Sequence, residues 1–176
     1  MVTGASSGIG MEFAKRFSRE GHPVLMLARR QEVMEALQLP NCLCRSVDVT
    51  DPAAMEAAVR EAEAIYGKTD LLINCAGLML LGHPDGQDFE EWSRMIDVNV
   101  KGVLAGTKAV LSDMMARNEG NIINISSIAG RKTFDSLPAS SASRASKVRC
   151  PSLRSRLAPG EKGYSNRRPC WHLRIS

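Results

Sequence analysis

No apolar run in this 176-residue chain approaches the roughly 18–20 residues that a bilayer-spanning helix needs, so no membrane association is expected. The first ten residues, MVTGASSGIG, hold neither a basic cluster nor a long apolar core, which argues against a secretory leader and for the cytoplasm. Histidine is scarce. His22, His83 and His172 are scattered and none lies near a cysteine pair at zinc-ligand spacing, so no metal site is expected. The five cysteines are odd in number and are not a disulfide framework. Cys42 and Cys44 alternate along one expected strand and Cys75 ends another, so they read as small buried hydrophobes in a reducing compartment.

Charge is unevenly spread. Residues 1–133 hold 14 Lys and Arg against 17 Asp and Glu, a net −3, whereas residues 134–176 hold 9 against 2, a net +7. A basic tail can serve nucleic acid, but no recognisable nucleic-acid motif accompanies it, so no such partner is expected.

Four short runs read as strands: PVLMLA (Pro23–Ala28), CLCRSV (Cys42–Val47), DLLINC (Asp70–Cys75) and NIINIS (Asn121–Ser126). Three of them are nearly continuously apolar, as strands covered on both faces are. Helical patterns lie between them. Ile9, Phe13, Ala14 and Phe17 recur at helical spacing. So do Met55, Ala58, Val59, Ala62 and Ile65, after Thr50-Asp51-Pro52, where a capping residue and a proline mark a helix start. The stretch from Phe89 to Met115 is read as two helices. Met79, Met95, Met114 and Met115 are expected to fill gaps between helices, and Trp92 to pack or to sit at a subunit contact.

Such alternation predicts an α/β fold, a doubly wound parallel sheet with helices on both faces. The first strand of such a sheet lies centrally. Only Met1-Val2 precedes the glycine-rich turn, so most of that strand is expected to be missing. Beyond about Phe134 the pattern dissolves. The final 43 residues hold nine serines and seven arginines, and Pro138, Pro151, Pro159 and Pro169 interrupt any helix. The expected division is therefore residues 1–133 as a partial dinucleotide-binding domain and residues 134–176 as a basic tail, disordered or read in another frame.

TGASSGIG (Thr3–Gly10) carries the first chemistry. Gly4, Gly8 and Gly10 let the backbone turn sharply and approach a pyrophosphate, and the helix after it offers free N–H groups and its positive dipole end. Alone, this turn is equally compatible with an ordinary tight turn. Later motifs add specificity: Asp48 in DVT, Asn74 to Gly77 in NCAG, Asn99 in DVNVKG and Ser127 in NISSIAG.

With these five motifs in order over residues 3–130, the chain resembles the short-chain dehydrogenase/reductase family, whose fold is Rossmann-like. The resemblance implies hydride transfer between a nicotinamide cofactor and a small alcohol or carbonyl compound. It implies cofactor contacts from Gly4, Ser6, Ser7, Gly8, Ile9 and Gly10, from Asp48 and Val49 beside the adenine, and from Asn74, Ala76 and Gly77. It implies catalytic-site roles for Asn99, which supports a proton relay, and Ser127, which holds the substrate oxygen. It also suggests a homo-oligomer through two long helices, with Val103, Leu104, Val110 and Leu111 suited to the contact. The second strand ends LARR: Ala28 leaves the ribose site uncharged, and Arg29 and Arg30 suit a 2′-phosphate, which favours NADP over NAD. The plainer reading of Arg29 and Arg30 is a pair of solvated surface residues.

The chain departs from the family at the catalytic Tyr-x-x-x-Lys pair. Counting on from Ser127 by the family's spacing gives Ser140 and Arg144. A serine hydroxyl lacks phenol's acidity, and arginine stays protonated. A gapped alignment sets Lys147 in the lysine role but Ser143 in the tyrosine role, and Tyr164 with Arg168 lies far downstream. A change of reading frame near Phe134 is the simplest source of this departure. Three readings stand side by side: an NADP-dependent oxidoreductase, an inactive remnant that at most binds the dinucleotide, and a chain too incomplete to fold stably.

Overall fold

A computed structural model of the chain describes residues 1–80 and 85–127. The expectations placed on His83, on Ser140, Ser143, Arg144, Lys147 and Tyr164, and on the basic tail lie outside the described residues.

Five strands form one sheet, every pairing parallel, in the order β3-β2-β1-β4-β5. The strands are β1 (Val2–Thr3), β2 (Val24–Ala28), β3 (Cys42–Ser46), β4 (Leu71–Asn74) and β5 (Asn121–Asn124). The helices are α1 (Gly8–Arg19), α2 (Gln31–Glu35), α3 (Pro52–Tyr66), α4 (Phe89–Ile96) and α5 (Gly102–Arg117). All five residues of β2 are buried, as the unbroken apolar run requires of a strand covered on both faces. One core layer gathers Val2, Val24, Met26 and Ile73 with Ala14, Phe13 and Phe17 of α1. The other gathers Leu25, Leu27 and Leu72 with Met55, Ala58 and Val59 of α3 and Val110 and Met114 of α5.

α3 starts where its sequence says. Asp51 accepts from the N–H groups of Ala53 and Ala54, and Pro52 occupies the first turn. Its buried face is Met55, Ala58, Val59 and Ala62, but Ile65 falls past that face and is exposed. Ile9 is likewise exposed, because α1 turns it to the mouth of the glycine loop, and Ala14 and Ser18 take the inner face instead.

The first strand is short, yet β1 pairs with β2 on one side and β4 on the other and is the centre of the sheet. The stretch from Phe89 holds two α-helices, as expected. α4 and α5 are joined without a break by a π-helical segment, Asp97–Lys101. α2, only five residues long, was not foreseen. Of the four methionines, Met95 and Met114 fill the interior, while Met79 and Met115 are exposed. Trp92 packs, half-buried, against Met95. Among the apolar positions assigned to a subunit contact, Val103 and Val110 face the interior of this chain; Leu104 is exposed and Leu111 half-buried.

Candidate nucleotide-binding site

In an open parallel sheet, ligands bind outside the carboxyl ends of the strands, where the order reverses. Here that point lies between β1 and β4, and it brings the TGASSGIG turn against NCAG. Thr3 locks the two. Its buried Oγ1 accepts from the N–H groups of Cys75 at 3.0 Å and Ala76 at 3.1 Å. The three glycines then divide the work. Gly4 has φ +68°, and a Cβ there would stand 2.8 Å from the Ala76 backbone. A Cβ on Gly10 would stand 2.5 Å from the Gly4 carbonyl oxygen. Both glycines serve close packing. Gly8, with φ +54°, has nothing within 4 Å of where a Cβ would be, so its bare backbone faces open space.

α1 begins at this opening. Its N-cap, Ser7, is extended, makes no side-chain cap bond, and no acidic residue lies in the first turn. The N–H groups of that turn and the positive helix end therefore suit an anion. Arg30 folds back from the end of β2, and its Nη2 donates to Ser6 Oγ at 3.2 Å. A guanidinium thus lies beside the glycine turn, and Arg29 is exposed next to it.

Asp48 lies just after β3. Its Oδ1 accepts from the Thr50 N–H at 2.9 Å and hydroxyl at 2.8 Å. The Thr50 N–H bond, above all, holds this carboxyl below its ordinary range; Arg29 and Arg94 add to the effect. Val49 is buried, and α5 presses on it through Gly102, where a Cβ would stand 2.6 Å from Val49 Cγ2.

Two asparagines hold the far wall. Asn99 lies in the π-helical segment and pairs with one backbone unit: its Oδ1 accepts from Leu78 N–H at 2.8 Å, and its Nδ2 donates to Leu78 carbonyl at 2.7 Å. The wider π turn is a common device at functional sites, and here it carries the asparagine that pins the loop after Gly77. Asn74 is buried, and its Nδ2 donates to Asn124 Oδ1 at 2.9 Å, tying β4 to β5. Its Oδ1 has no hydrogen-bond partner among the described residues, and a Cβ on Gly106 would come within 2.5 Å of it. Ala76 is half-buried and Gly77 exposed in the loop they share with Leu78. Ser127 lies just past β5, exposed, at the same sheet edge.

Thr3, Gly102 and Gly106 were missed as site-building residues. The signal for Thr3 was a polar residue ending a buried strand. For the glycines it was their i, i+4 spacing, which lays a bare strip along one helix face. Among the described residues no group of His, Cys, Asp and Glu is arranged to hold a metal, and no helix is long and apolar enough to cross a membrane.

Comparison with known proteins agrees with this geometry. The short chain dehydrogenase family matches residues 1–152, past the boundary expected at residue 133. The NADP-dependent 3-hydroxy acid dehydrogenase YdfG of Salmonella typhi is 42% identical over 134 residues, which cover 74% of this chain and 54% of that protein. An uncharacterized oxidoreductase of Staphylococcus saprophyticus is 40% identical over 138 residues, 76% of this chain and 56% of that protein. A closed form of serine dehydrogenase complexed with NADP+ superposes with a TM-score of 0.77 at 36% identity, covering 81% of this chain and 60% of that one. The chain thus spans little more than half the length of these relatives. The parallel sheet, the glycine turn locked by Thr3 and this match along most of its length place the chain in the short-chain dehydrogenase/reductase family of oxidoreductases.

Proposed function

We propose that the chain binds NADP in preference to NAD, and that the site it helps to build transfers hydride between the nicotinamide and a small alcohol or carbonyl compound. The observation that carries the preference is the Arg30 guanidinium on Ser6, beside the glycine turn, with no acidic residue ending β2. A carboxylate there would bond the ribose hydroxyls and repel a 2′-phosphate; a guanidinium fork pairs with it. That two relatives name NADP in their descriptions supports the same reading.

The residues fit the cofactor. Gly8, Ile9, Gly10 and the uncapped α1 start would hold the pyrophosphate, with Ser6, Ser7, Arg29 and Arg30 on the 2′-phosphate. Asp48 and Val49 would flank the adenine, and the Ala76–Gly77 backbone would border the ribose. When bound, NADP supplies the hydride donor or acceptor. Asn99 keeps Leu78 in register under that region, and Ser127 would orient the substrate oxygen. Neither Arg29 nor Arg30 can serve as the proton donor, since a guanidinium does not deprotonate.

A second reading rests on the sequence after Ser127, where Ser140 and Arg144 stand at the family's tyrosine and lysine positions. Loss of a positioned general acid–base costs roughly 10²–10⁴ in rate. On that reading the chain binds the dinucleotide and turns over little or nothing. Titration of the purified chain with NADPH and NADH, and then turnover assays over a panel of aldehydes and ketones, decide both points. NADPH binding tighter than NADH supports the cofactor reading, and equal or absent binding overturns it. Turnover at ordinary rates overturns the second reading. The exposed Leu104 and half-buried Leu111 are the positions through which copies of the chain would pair, and three unpaired cysteines, Cys42, Cys44 and Cys75, suit the cytoplasm.

A further inference from the structure

Asp48 stands between two cations that come from different parts of the fold. Arg29 approaches from the end of β2. The Val47 N–H donates to the Ala28 carbonyl at 3.1 Å, and the Ser46 hydroxyl donates to the Arg29 carbonyl at 3.0 Å, so Arg29 lies beside the turn that carries Asp48. Arg94 approaches from α4. Gly102 rests on Val49, and Val98 packs on the core layer to which Val49 belongs. Arg94, Val98 and Gly102 stand four residues apart along the continuous path from α4 to α5, and so share one face. That row sets Arg94 one turn beyond Val98, on the side of the Asp48–Val49 turn.

The Asp48 carboxylate has one oxygen engaged and one open. Oδ1 accepts from both the N–H and the hydroxyl of Thr50, and Oδ2 has no hydrogen bond among the described residues. The Thr50 bonds do most to keep the carboxyl ionised, and Arg29 and Arg94 both add to the effect. Lys101, the next cation along the same helical path, is taken up by Asp97 at 2.6 Å. Arg29 and Arg94 are exposed, and neither is in an ion pair among the described residues. Carboxylate and phosphate use the same fork of guanidinium donors. A carboxylate beside Arg29 therefore competes with a 2′-phosphate for that side chain, and a second cation on the carboxylate's other flank weakens the competition.

We propose that Arg94 is a positioning residue for cofactor choice: from α4 it holds the Asp48 carboxylate to its own side and leaves the Arg29 guanidinium free for the 2′-phosphate. The proposal rests on the NADP reading above. Arg94 acts through Asp48 and not on the phosphate itself.

The test measures NADPH and NADH dissociation constants by calorimetry for the full chain and for Arg94→Ala, Arg94→Lys, Asp48→Asn and the double variant Arg94→Ala/Asp48→Asn. Arg94→Ala is expected to lower the preference for NADPH over NADH roughly two- to five-fold, the size of an exposed charge interaction. Arg94→Lys is expected to keep the preference. With Asp48→Asn already in place, removing Arg94 is expected to leave the preference where it was. An unchanged preference in Arg94→Ala, or an equal fall with and without the Asp48 carboxylate, overturns the proposal. A structural role alone would weaken both coenzymes alike in Arg94→Ala, which also overturns it. A second measurement needs no nucleotide: in NMR titration the Asp48 carboxyl is expected to take up its proton at higher pH in Arg94→Ala than in the parent, and an unchanged midpoint overturns the proposal. A parent that binds the two coenzymes equally overturns the NADP reading instead, and the carboxyl titration then decides the tie between Arg94 and Asp48.

Discussion

Replacing Gly10 by alanine adds one methyl group between α1 and the strand end that feeds it. The added carbon would stand 2.5 Å from Gly4 O, 2.9 Å from Gly4 C and 3.2 Å from Thr3 O, all of them backbone atoms that cannot rotate aside. Overpacking of this kind costs about 1–3 kcal/mol, offset in part by alanine's helix preference of up to about 1 kcal/mol over glycine. A net loss of about 1–2 kcal/mol lowers Tm by roughly 2–8 °C in a chain of this size. The same substitution at Gly8 meets no atom within 4 Å and strains only a φ of +54°, at about 1 kcal/mol. Its methyl group instead enters the space assigned to the pyrophosphate. Gly8→Ala is therefore expected to weaken NADPH binding at least about ten-fold, or about 1.4 kcal/mol, with a smaller change in Tm than Gly10→Ala. Melting curves and calorimetric titration of both variants check this. A Gly10→Ala protein that melts with the parent would refute the close-packing argument. A Gly8→Ala protein with unchanged NADPH affinity would refute the assignment of the turn to phosphate.

Three further outcomes are expected. Arg30→Ala should weaken NADPH binding about 10- to 100-fold, as the loss of a charged hydrogen-bond donor does, and leave NADH binding unchanged in the same titration. Asp51→Ala removes the cap of α3. It should lower the urea midpoint by an amount equivalent to about 1 kcal/mol without changing the slope. Asp48, whose carboxyl lies below its ordinary range through the Thr50 bonds, contributes stability that is present above the unfolded value of about 3.9. That contribution is lost as pH falls through the lower folded value, where the native carboxylate too takes up its proton. Denaturant midpoints of the parent should fall more steeply below about pH 4 than those of Asp48→Asn; parallel curves would contradict the assignment.

Several features were legible because one local rule governed each. β2 showed itself as an unbroken apolar run because both its faces are covered. α3 showed its start because Asp51 and Pro52 satisfy or remove the donors of the first turn. Other features depended on what stood opposite. Val103, Leu104, Val110 and Leu111 are alike in composition, and only the packing of α5 on the sheet turned the valines inward. The π-helical segment has no composition signal. It joined α4 to α5 and set Asn99 against Leu78, whose backbone lies 21 residues earlier. The side-chain bond from Asn74 to Asn124 joins two strands 50 residues apart, and only the sheet order sets them side by side.

By itself the sequence determined the parallel α/β class, the glycine turn and the guanidinium pair after β2, because strand burial, turn geometry and fixed charge are local properties of the chain. Only the tertiary structure decided that Gly8, of the three glycines, faces open space, that Thr3 locks the turn to the loop after β4, and that Arg30 reaches Ser6. Each of those depends on atoms brought together from distant parts of the chain, and sheet order, not spacing along the sequence, brings them together.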